Sequence, residues 1–159
     1  MPDLRHEIKQ SKPFSSLEQE ALLSLERTAA VLLHAMAETF KGHGITPTQY
    51  NVLRILRGAG PDGLCRNDIR DRLVTQVPDV TRLLDRLEEA RLAERERASD
   101  DRRVVTTRIT AQGLDLLRGL DEPVTQAHHQ QFGHMSPDQL RSLIDLLAVA
   151  RSASRGESQ

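Results

Sequence analysis

Two short amphipathic segments separated by a few residues are the feature that most limits what this chain can fold into. RNDIRDRL, at residues 66–73, offers only Ile69 and Leu73 to a core. PDVTRLLDRLEEARL, at residues 78–92, carries apolar side chains at helical spacing and has Pro78 in its first turn. Because only residues 74–77 separate them, the two segments are predicted to form a helix-turn-helix.

Two segments with strand character follow the second of these helices directly. LAERERAS, at residues 92–99, alternates apolar or small residues with charged ones, and VVTTRIT, at residues 104–110, is rich in β-branched residues. They are predicted to pair as a hairpin whose loop carries Asp101, Arg102 and Arg103. A helix-turn-helix followed by a hairpin is the winged-helix arrangement. Two arginines at an exposed tip indicate a negatively charged partner.

Longer helices are predicted on both sides of this module, and several begin with the same kind of cap. Ser15 and Glu18 have capping-box spacing at the start of a helix that runs to about Phe40. A second helix begins with Thr46, Pro47 and Gln49. Beyond the hairpin, the predicted caps of two further helices are Thr110 and the set Ser136, Pro137 and Gln139.

The predicted fold class is mainly α with a small β-hairpin wing, a winged helix-turn-helix core flanked by long helices. Aromatic residues make up only 3% of the 159 residues, so the core must be built from Leu, Ile, Val and Ala. The predicted parts are an N-terminal arm and long helix at 1–44, the winged helix-turn-helix domain at 45–110, C-terminal helices at 111–155 and a disordered tail at 156–159. The apolar faces of the flanking helices indicate either packing against a second copy or completion of one monomeric core.

Charge and cysteine content give weaker guidance. The net charge is −1, and 19 of the 22 basic residues are arginines, a bias that suits phosphate and base recognition but also arises in GC-rich genomes. Cys65 is the single cysteine, so no internal disulfide is expected. No apolar run approaches the length of a membrane span, and the N-terminus is too polar for a signal peptide. We therefore expect a soluble, cytoplasmic protein with no membrane partner.

The segments TPTQYNVLRIL and VTRLLDRLEEARLAERERASDDRRVVTTRITAQG resemble the MarR family of bacterial transcription regulators. The most specific part is the wing signature, an Asp-x-Arg, a strand and then Ile-Thr-x-x-Gly, which here begins at Asp101 and ends at Gly113. The resemblance spans roughly residues 15–150. It departs from the family at Ala90-Arg91, where Gly is frequent, and at Thr107, where Val is preferred.

The resemblance implies a homodimer that binds a pseudo-palindromic DNA operator, acts as a repressor and is released by a small-molecule effector. It makes 45–110 the DNA-binding domain and assigns dimerisation helices to 1–44 and 111–155. The N-terminal, solvent-facing positions of the recognition helix are expected to meet the major groove. These predicted DNA-binding residues are Gln76, Pro78, Asp79, Thr81, Arg82 and Arg86. Gln76 and Arg82 suit bidentate contacts with bases, whereas Asp79 would accept from a cytosine amine or tether Arg82. For the arginines, pairing with neighbouring acids on the helix surface is the alternative.

The wing is expected to reach the minor groove, where the negative potential attracts Arg. Arg103 is the predicted inserted side chain, Asp101 would orient it by a charge-assisted hydrogen bond, and Arg102 would contact a phosphate. The alternative is a solvated turn whose charges pair with each other. Residues 66–108 carry eleven arginines and ten acids, so binding must depend on how these charges are arranged. Non-specific affinity should then be modest and salt-dependent.

Two further predictions concern a ligand pocket and the role of the single cysteine. A ligand pocket is predicted where the long helices meet the winged-helix lobe, lined by Leu33, His34, Met36, Ala37, Phe40 and Tyr50, although such a stripe can also be core. Cys65 suits a small buried hydrophobe better than an oxidant sensor, because no second cysteine is present to resolve it.

A metal site and an enzyme are the remaining alternatives. The histidines His34, His43, His128, His129 and His134 leave a metal-responsive regulator of the same fold open, although their spacing fits no ligand motif. No Gly-rich phosphate loop or nucleophile elbow is present, so no enzyme activity, no bound metal and no cofactor are expected. A helical interaction module without DNA binding is a further alternative.

Overall fold

The computed structural model describes residues 3–97 and 105–152. The fold is mainly helical with one small antiparallel sheet, which confirms the predicted fold class. Its elements are α1 (Leu4–Glu7), α2 (Leu17–Lys41), α3 (Pro47–Ala59), a 3-10 turn (Gly60–Asp62), β1 (Leu64–Cys65), α4 (Arg66–Arg72), α5 (Val80–Glu89), β2 (Ala93–Arg97), β3 (Val105–Ile109), α6 (Ala111–Phe132) and α7 (Pro137–Ser152). In these two ranges, no helix has the length and apolar character needed to cross a membrane.

Helix starts follow local capping chemistry. At α3 the Thr46 hydroxyl accepts from the Gln49 N–H, and the Gln49 side chain accepts from the Thr46 N–H, which completes the predicted capping box. The predicted cap of α2 was wrong by one residue: Ser16 accepts from the Gln19 N–H at 3.2 Å. The Gln19 side chain instead accepts from the N–H and hydroxyl of Ser15 at 2.7 and 2.9 Å, so the cap uses Gln19 rather than Glu18.

The core lies where α3, α4, α5 and α6 meet one face of the sheet. Each helix contributes residues that are fully or almost fully buried, and most are leucines. They are Val52, Leu53 and Leu56 from α3, Ile69 from α4, Leu84 and Leu87 from α5, and Leu117 and Leu120 from α6. Burying such a side chain stabilises the fold by roughly 1.5–3 kcal/mol, so these helices account for most of the hydrophobic stabilisation.

The sheet has the order β1-β3-β2, with β3 antiparallel to both neighbours. Strands β2 and β3 were predicted, whereas β1 was not, because two residues are too short to show alternation. Thr107 in the central strand lies opposite Leu64 on one side and Arg95 on the other. Gly63, which precedes β1, has φ +67°, and a Cβ there would lie 2.6 Å from the Thr107 carbonyl oxygen, so this approach requires glycine.

The start of α6 is joined tightly to the end of α5. The Thr110 hydroxyl donates to the Arg91 carbonyl at 2.7 Å and accepts from the Gly113 N–H at 3.0 Å. A Cβ on Gly113 would lie 2.3 Å from the Leu92 carbonyl oxygen. Glycine therefore lets α6 contact the backbone that leads into β2, and this contact holds the sheet against the helices.

The two outer helices are covered much less. Phe40 is the only residue of α2 that is buried, and α7 contains no buried residue. One side-chain hydrogen bond joins α2 to α6, from the Gln131 amide to the Leu32 carbonyl at 3.1 Å. Both outer helices thus present apolar side chains to solvent in the single chain.

Candidate nucleic-acid interface

The turn between α4 and α5 is tied to the helix that lies behind it. The Val74 N–H donates to the side-chain oxygen of Asn51 in α3 at 3.0 Å. The Arg66 guanidinium at the start of α4 donates to the Thr81 hydroxyl at the start of α5, with 3.3 Å between the two atoms. These bonds position the first turn of α5 relative to both α3 and α4.

Helix α5 buries one face and exposes the other. Val80, Leu84 and Leu87 point into the core. The six residues predicted to contact the major groove are all exposed, namely Gln76, Pro78, Asp79, Thr81, Arg82 and Arg86. The structure therefore leaves all six exposed, three of them before the first residue of α5 and three in its first two turns.

The helix begins later than predicted. Pro78 was expected in the first helical turn, but α5 starts at Val80, so Gln76 and Pro78 lie in the connection. The reason is Asp79, whose carboxylate accepts from the Arg82 N–H at 2.9 Å and so acts as the N-cap. Asp79 does tether Arg82, but through its backbone rather than its guanidinium.

Arg95 on β2 joins the sheet to two acids of α5. Its guanidinium donates to Asp85 at 2.5 Å and to the Glu88 Oε2 atom at 2.9 and 2.5 Å, while its backbone N–H donates to Glu88 Oε1 at 3.2 Å. Hydrogen bonding to Arg95 holds the pKa of the Glu88 carboxyl below its usual value, and the same bond raises the pKa of Arg95. Sequence reasoning missed Arg95, because nothing in its local pattern marks it out from the other strand arginines.

A cavity of about 480 Å³ lies beside this cluster, where α4, α5 and the sheet converge. Arg66, Thr81, Arg95 and Thr107 contribute to its lining. Cys65 also faces it, and its thiol donates to the Asp68 carboxylate at 3.0 Å. The prediction that Cys65 is buried was wrong: the residue is partly exposed, because it lies in a short edge strand at the surface.

The predicted wing residues Asp101, Arg102 and Arg103 lie outside the described residues. The strands on either side of them are paired in register, from Ala93 with Ile109 to Arg97 with Val105. The predicted hairpin strands are thus present, and the role of the three loop residues stays a prediction.

The six residues of the predicted ligand pocket are divided between core and surface. Phe40 and Tyr50 are buried and pack together with ring centroids 4.7 Å apart, and burial raises the pKa of Tyr50. Met36 and Ala37 are partly buried, whereas Leu33 and His34 are exposed on α2. Phe40 and Tyr50 thus occupy part of the space expected for a ligand, and a pocket at this position stays a prediction.

Histidines lie at the surface. His34, His43, His128, His129 and His134 are all exposed. Within residues 3–97 and 105–152, no three His, Cys, Asp or Glu side chains lie close enough together to hold a metal ion. His128 and His129 instead line an apolar cavity of about 540 Å³ between α6 and α7, together with Phe132, Leu143 and Leu147.

Comparison with known proteins gives a consistent result. Residues 43–104 match the sequence model of the MarR family. The HTH-type transcriptional regulator YkoM of Bacillus subtilis (strain 168), described as uncharacterised, is 30% identical over 141 residues, covering 86% of this chain and 90% of YkoM. A MarR transcription factor from Planctomyces limnophilus is 43% identical, with a TM-score of 0.67 and coverage of 86% and 99% of the two chains.

A solved complex shares the fold at lower identity. Sco3205, a MarR family transcriptional regulator from Streptomyces coelicolor crystallised with DNA, has a TM-score of 0.80 at 18% identity, covering 93% of this chain and 94% of Sco3205. At this identity the likeness concerns the fold alone.

Proposed function

Because the chain belongs to the MarR family of helix-turn-helix transcription regulators, we propose that it binds a pseudo-palindromic DNA operator as a homodimer. The observation that carries the proposal is the exposed polar surface at the N-terminal end of α5, beside the paired strands β2 and β3. The solved Sco3205 complex with DNA supports it as a precedent for this fold.

Helix α5 is proposed to enter the major groove, whose width of about 12 Å admits an α-helix. Gln76 and Arg82 are the residues proposed to read bases, because an amide matches adenine and a guanidinium matches guanine. Thr81 and Arg86 are proposed to contact the backbone or a neighbouring base, and Pro78 would pack against the groove. Asp79 is proposed to act mainly by capping α5, since its carboxylate already accepts from the Arg82 N–H.

The loop between β2 and β3 is proposed to reach the minor groove. Arg103 would insert, Asp101 would orient it and Arg102 would contact a phosphate. The paired strands β2 and β3 support this role, because the predicted wing residues lie between them in the sequence.

Dimerisation is proposed to use α2 and α7. Ile144, Leu146 and Val149 of α7 are 62%, 68% and 69% exposed in the single chain, and Leu22 and Leu25 of α2 are also exposed. A two-fold dimer would cover these side chains and present two copies of α5 to half-sites one helical turn apart, about 34–36 Å.

Two finer elements belong to the proposal. We propose repression, because a dimer bound across an operator excludes other proteins from the same DNA. We also propose release by a small-molecule effector near Leu33, His34, Met36, Ala37, Phe40 and Tyr50. A ligand there would touch α2 and α3, and so could change how the dimerisation helices hold each DNA-binding lobe.

The test is selection from a randomised duplex pool, followed by fluorescence anisotropy on the enriched site across a salt series. Arg82→Ala and Arg103→Ala are compared with Arg118→Ala, a control on the exposed surface of α6 where Arg118 pairs with Asp115. We expect inverted half-sites, two subunits per duplex, and affinity that falls steeply with salt. Both DNA-facing variants should weaken binding, and the control should not.

If no duplex is enriched and no binding occurs even at low salt, the DNA-binding proposal fails. A helical interaction module would then explain the fold better.

A further inference from the structure

We propose that Arg95 is a positioning residue that holds helix α5 against strand β2 and thereby sets the geometry in which both meet the operator. This inference rests on the proposed DNA-binding function and adds a residue that does not itself touch DNA. Its basis is the cluster formed by Arg95, Asp85 and Glu88.

The hydrogen bonds of the cluster fix Arg95 in two directions. Glu88 accepts from the backbone N–H of Arg95 with one carboxylate oxygen and from the guanidinium with the other. Asp85, one helical turn earlier, accepts from the same guanidinium. Because a guanidinium is planar and donates along fixed directions, two acids bound at once define the rotation of α5 as well as its distance.

The position of this cluster differs from that of the other ion pairs in the described ranges. Lys41, Arg118 and Arg141 pair with acids three residues away in the same helix. Arg108 pairs with Glu96 between two strands of the sheet, while Arg57 pairs with Asp121 between α3 and α6, and Arg27 pairs with Glu7 between α2 and α1. The pairs of Arg95, whose side chain is 28% exposed, are the ones that join α5 to the sheet.

Apart from the packing of Val80, Leu84 and Leu87 in the core, the other restraints on helix α5 lie at its ends, so it needs such a tie. The Arg66 bond to Thr81 acts on the first turn, and the short connection through Arg91, in the left-handed region at φ +57°, acts after the last turn. Asp85 and Glu88 lie between these restraints and beside the exposed face. Loss of the tie would let the helix rotate or tilt while its apolar face stays in the core.

Charge alone is the competing explanation. Asp85 and Glu88 would repel DNA phosphates, and Arg95 compensates them whether or not it fixes the helix. The two explanations separate in a variant that removes the hydrogen bonds but conserves net charge. Arg95→Met combined with Glu88→Gln meets this condition.

The control is Arg108→Met combined with Glu96→Gln. It also removes one ion pair from the same sheet without changing net charge, but this pair does not involve α5. Arg95→Lys is the third variant. It keeps the positive charge but loses the planar guanidinium that binds both acids at once.

Each protein is measured by anisotropy on the selected operator and on a random duplex across a salt series, well below its unfolding midpoint. We expect Arg95→Met/Glu88→Gln to weaken operator binding about tenfold, which is the scale of one lost base contact. Random-duplex binding should change less than about twofold, and the salt slope should be unchanged, because a lost phosphate contact would lower it by about 0.9. Arg95→Lys should be intermediate, and the control should bind like the wild type.

Three results would overturn the inference. Equal operator affinity of Arg95→Met/Glu88→Gln and the control would show that the tie has no role in recognition. A lower salt slope would instead make Arg95 a phosphate contact. A parallel loss on both duplexes would indicate general damage, and circular dichroism checks folding in each case. Failure of the wild type to bind any duplex would refute the proposed DNA-binding function itself. This result differs from failure of the Arg95 inference, in which the wild type binds and only the effect of the variant is missing.

Discussion

The central module and the outer helices of this chain use similar residues but differ in how far those residues are covered. Helices α3, α5 and α6 place leucines at zero or near-zero exposure against the sheet, whereas none of the leucines of α7 is buried. Both kinds of helix are amphipathic and well capped. The difference shows that an amphipathic pattern identifies the apolar face of a helix. The pattern does not show whether the rest of the same chain covers that face.

The largest effect is expected from a truncation in the central core. Leu53→Ala in α3 removes a side chain with no exposed surface and should lower the free energy of unfolding by about 2–5 kcal/mol. Leu33→Ala on the exposed face of α2 is the matched control in a helix of the outer region. Chemical denaturation of both variants measures the contrast, and a small loss for Leu53→Ala would contradict the assigned core.

A charge on the exposed face of α7 should separate the subunits of the proposed dimer without unfolding them. Leu146→Glu combined with Val149→Glu places two carboxylates on one side of the helix and should raise the dimer dissociation constant at least about 100-fold, as expected for loss of interface anchors. Gln126→Glu, on the exposed surface of α6 and outside the proposed interface, is the control. Native mass by light scattering measures the effect. An unchanged mass for the double variant would exclude this face from the dimer interface.

A methyl group at the start of α6 should destabilise the module by about 1–3 kcal/mol, the usual cost of overpacking. Gly113→Ala directs its Cβ toward the Leu92 carbonyl, which belongs to the backbone and cannot rotate away. Gly119→Ala in the same helix meets no atom within 4 Å and serves as the control. Thermal unfolding should rank Gly113→Ala well below Gly119→Ala, and equal midpoints would argue against this close approach.

The N-caps of α6 and α7 compare the central module with the outer helices through smaller changes in the free energy of unfolding. Thr110→Ala should cost about 1 kcal/mol or slightly more, because a cap is lost together with the bond to Arg91. Ser136→Ala removes a cap of similar geometry from the uncovered helix α7, where the Gln139 N–H donates to Ser136 at 3.2 Å. Denaturation should show a larger loss for Thr110→Ala, and the reverse order would contradict the tighter packing of α6.

The smallest effect is a pH dependence from Glu88. Since its folded-state pKa is lowered from the usual 4.5, its ion pair with Arg95 stabilises the protein above that pH and is lost as pH falls through the folded value. The contribution is small, because both side chains are partly solvated. Glu88→Gln should therefore lower the unfolding temperature near neutral pH and match the wild type in acid. A difference that persisted or grew in acid would exclude the ion pair as its source.

Much of the fold was predictable because its signals are local. The caps at Thr46, Thr110 and Ser136 depend on residues three positions apart, and helical periodicity by itself identifies the core face of α5. The exposure of Thr81, Arg82 and Arg86 was predictable for the same reason, since the apolar face of α5 determines which of its side chains remain outside, whereas Gln76 and Pro78 precede the helix. Pro78 was wrongly placed in the first turn of α5 because Asp79, one residue later, is the N-cap of this helix.

Sequence alone therefore determined helices α2 to α7, the caps of α3, α6 and α7, the two long strands and the exposed face of α5, but it misplaced the cap of α2 and the start of α5. Tertiary structure alone decided the short strand β1, the bond from Arg66 to Thr81 and the tie between Arg95 and α5. It also decided that Phe40 and Tyr50 pack in the core while Leu33 faces solvent. The physical reason is distance along the chain: capping and periodicity act within a few residues, whereas these contacts form only after folding has brought separate segments together.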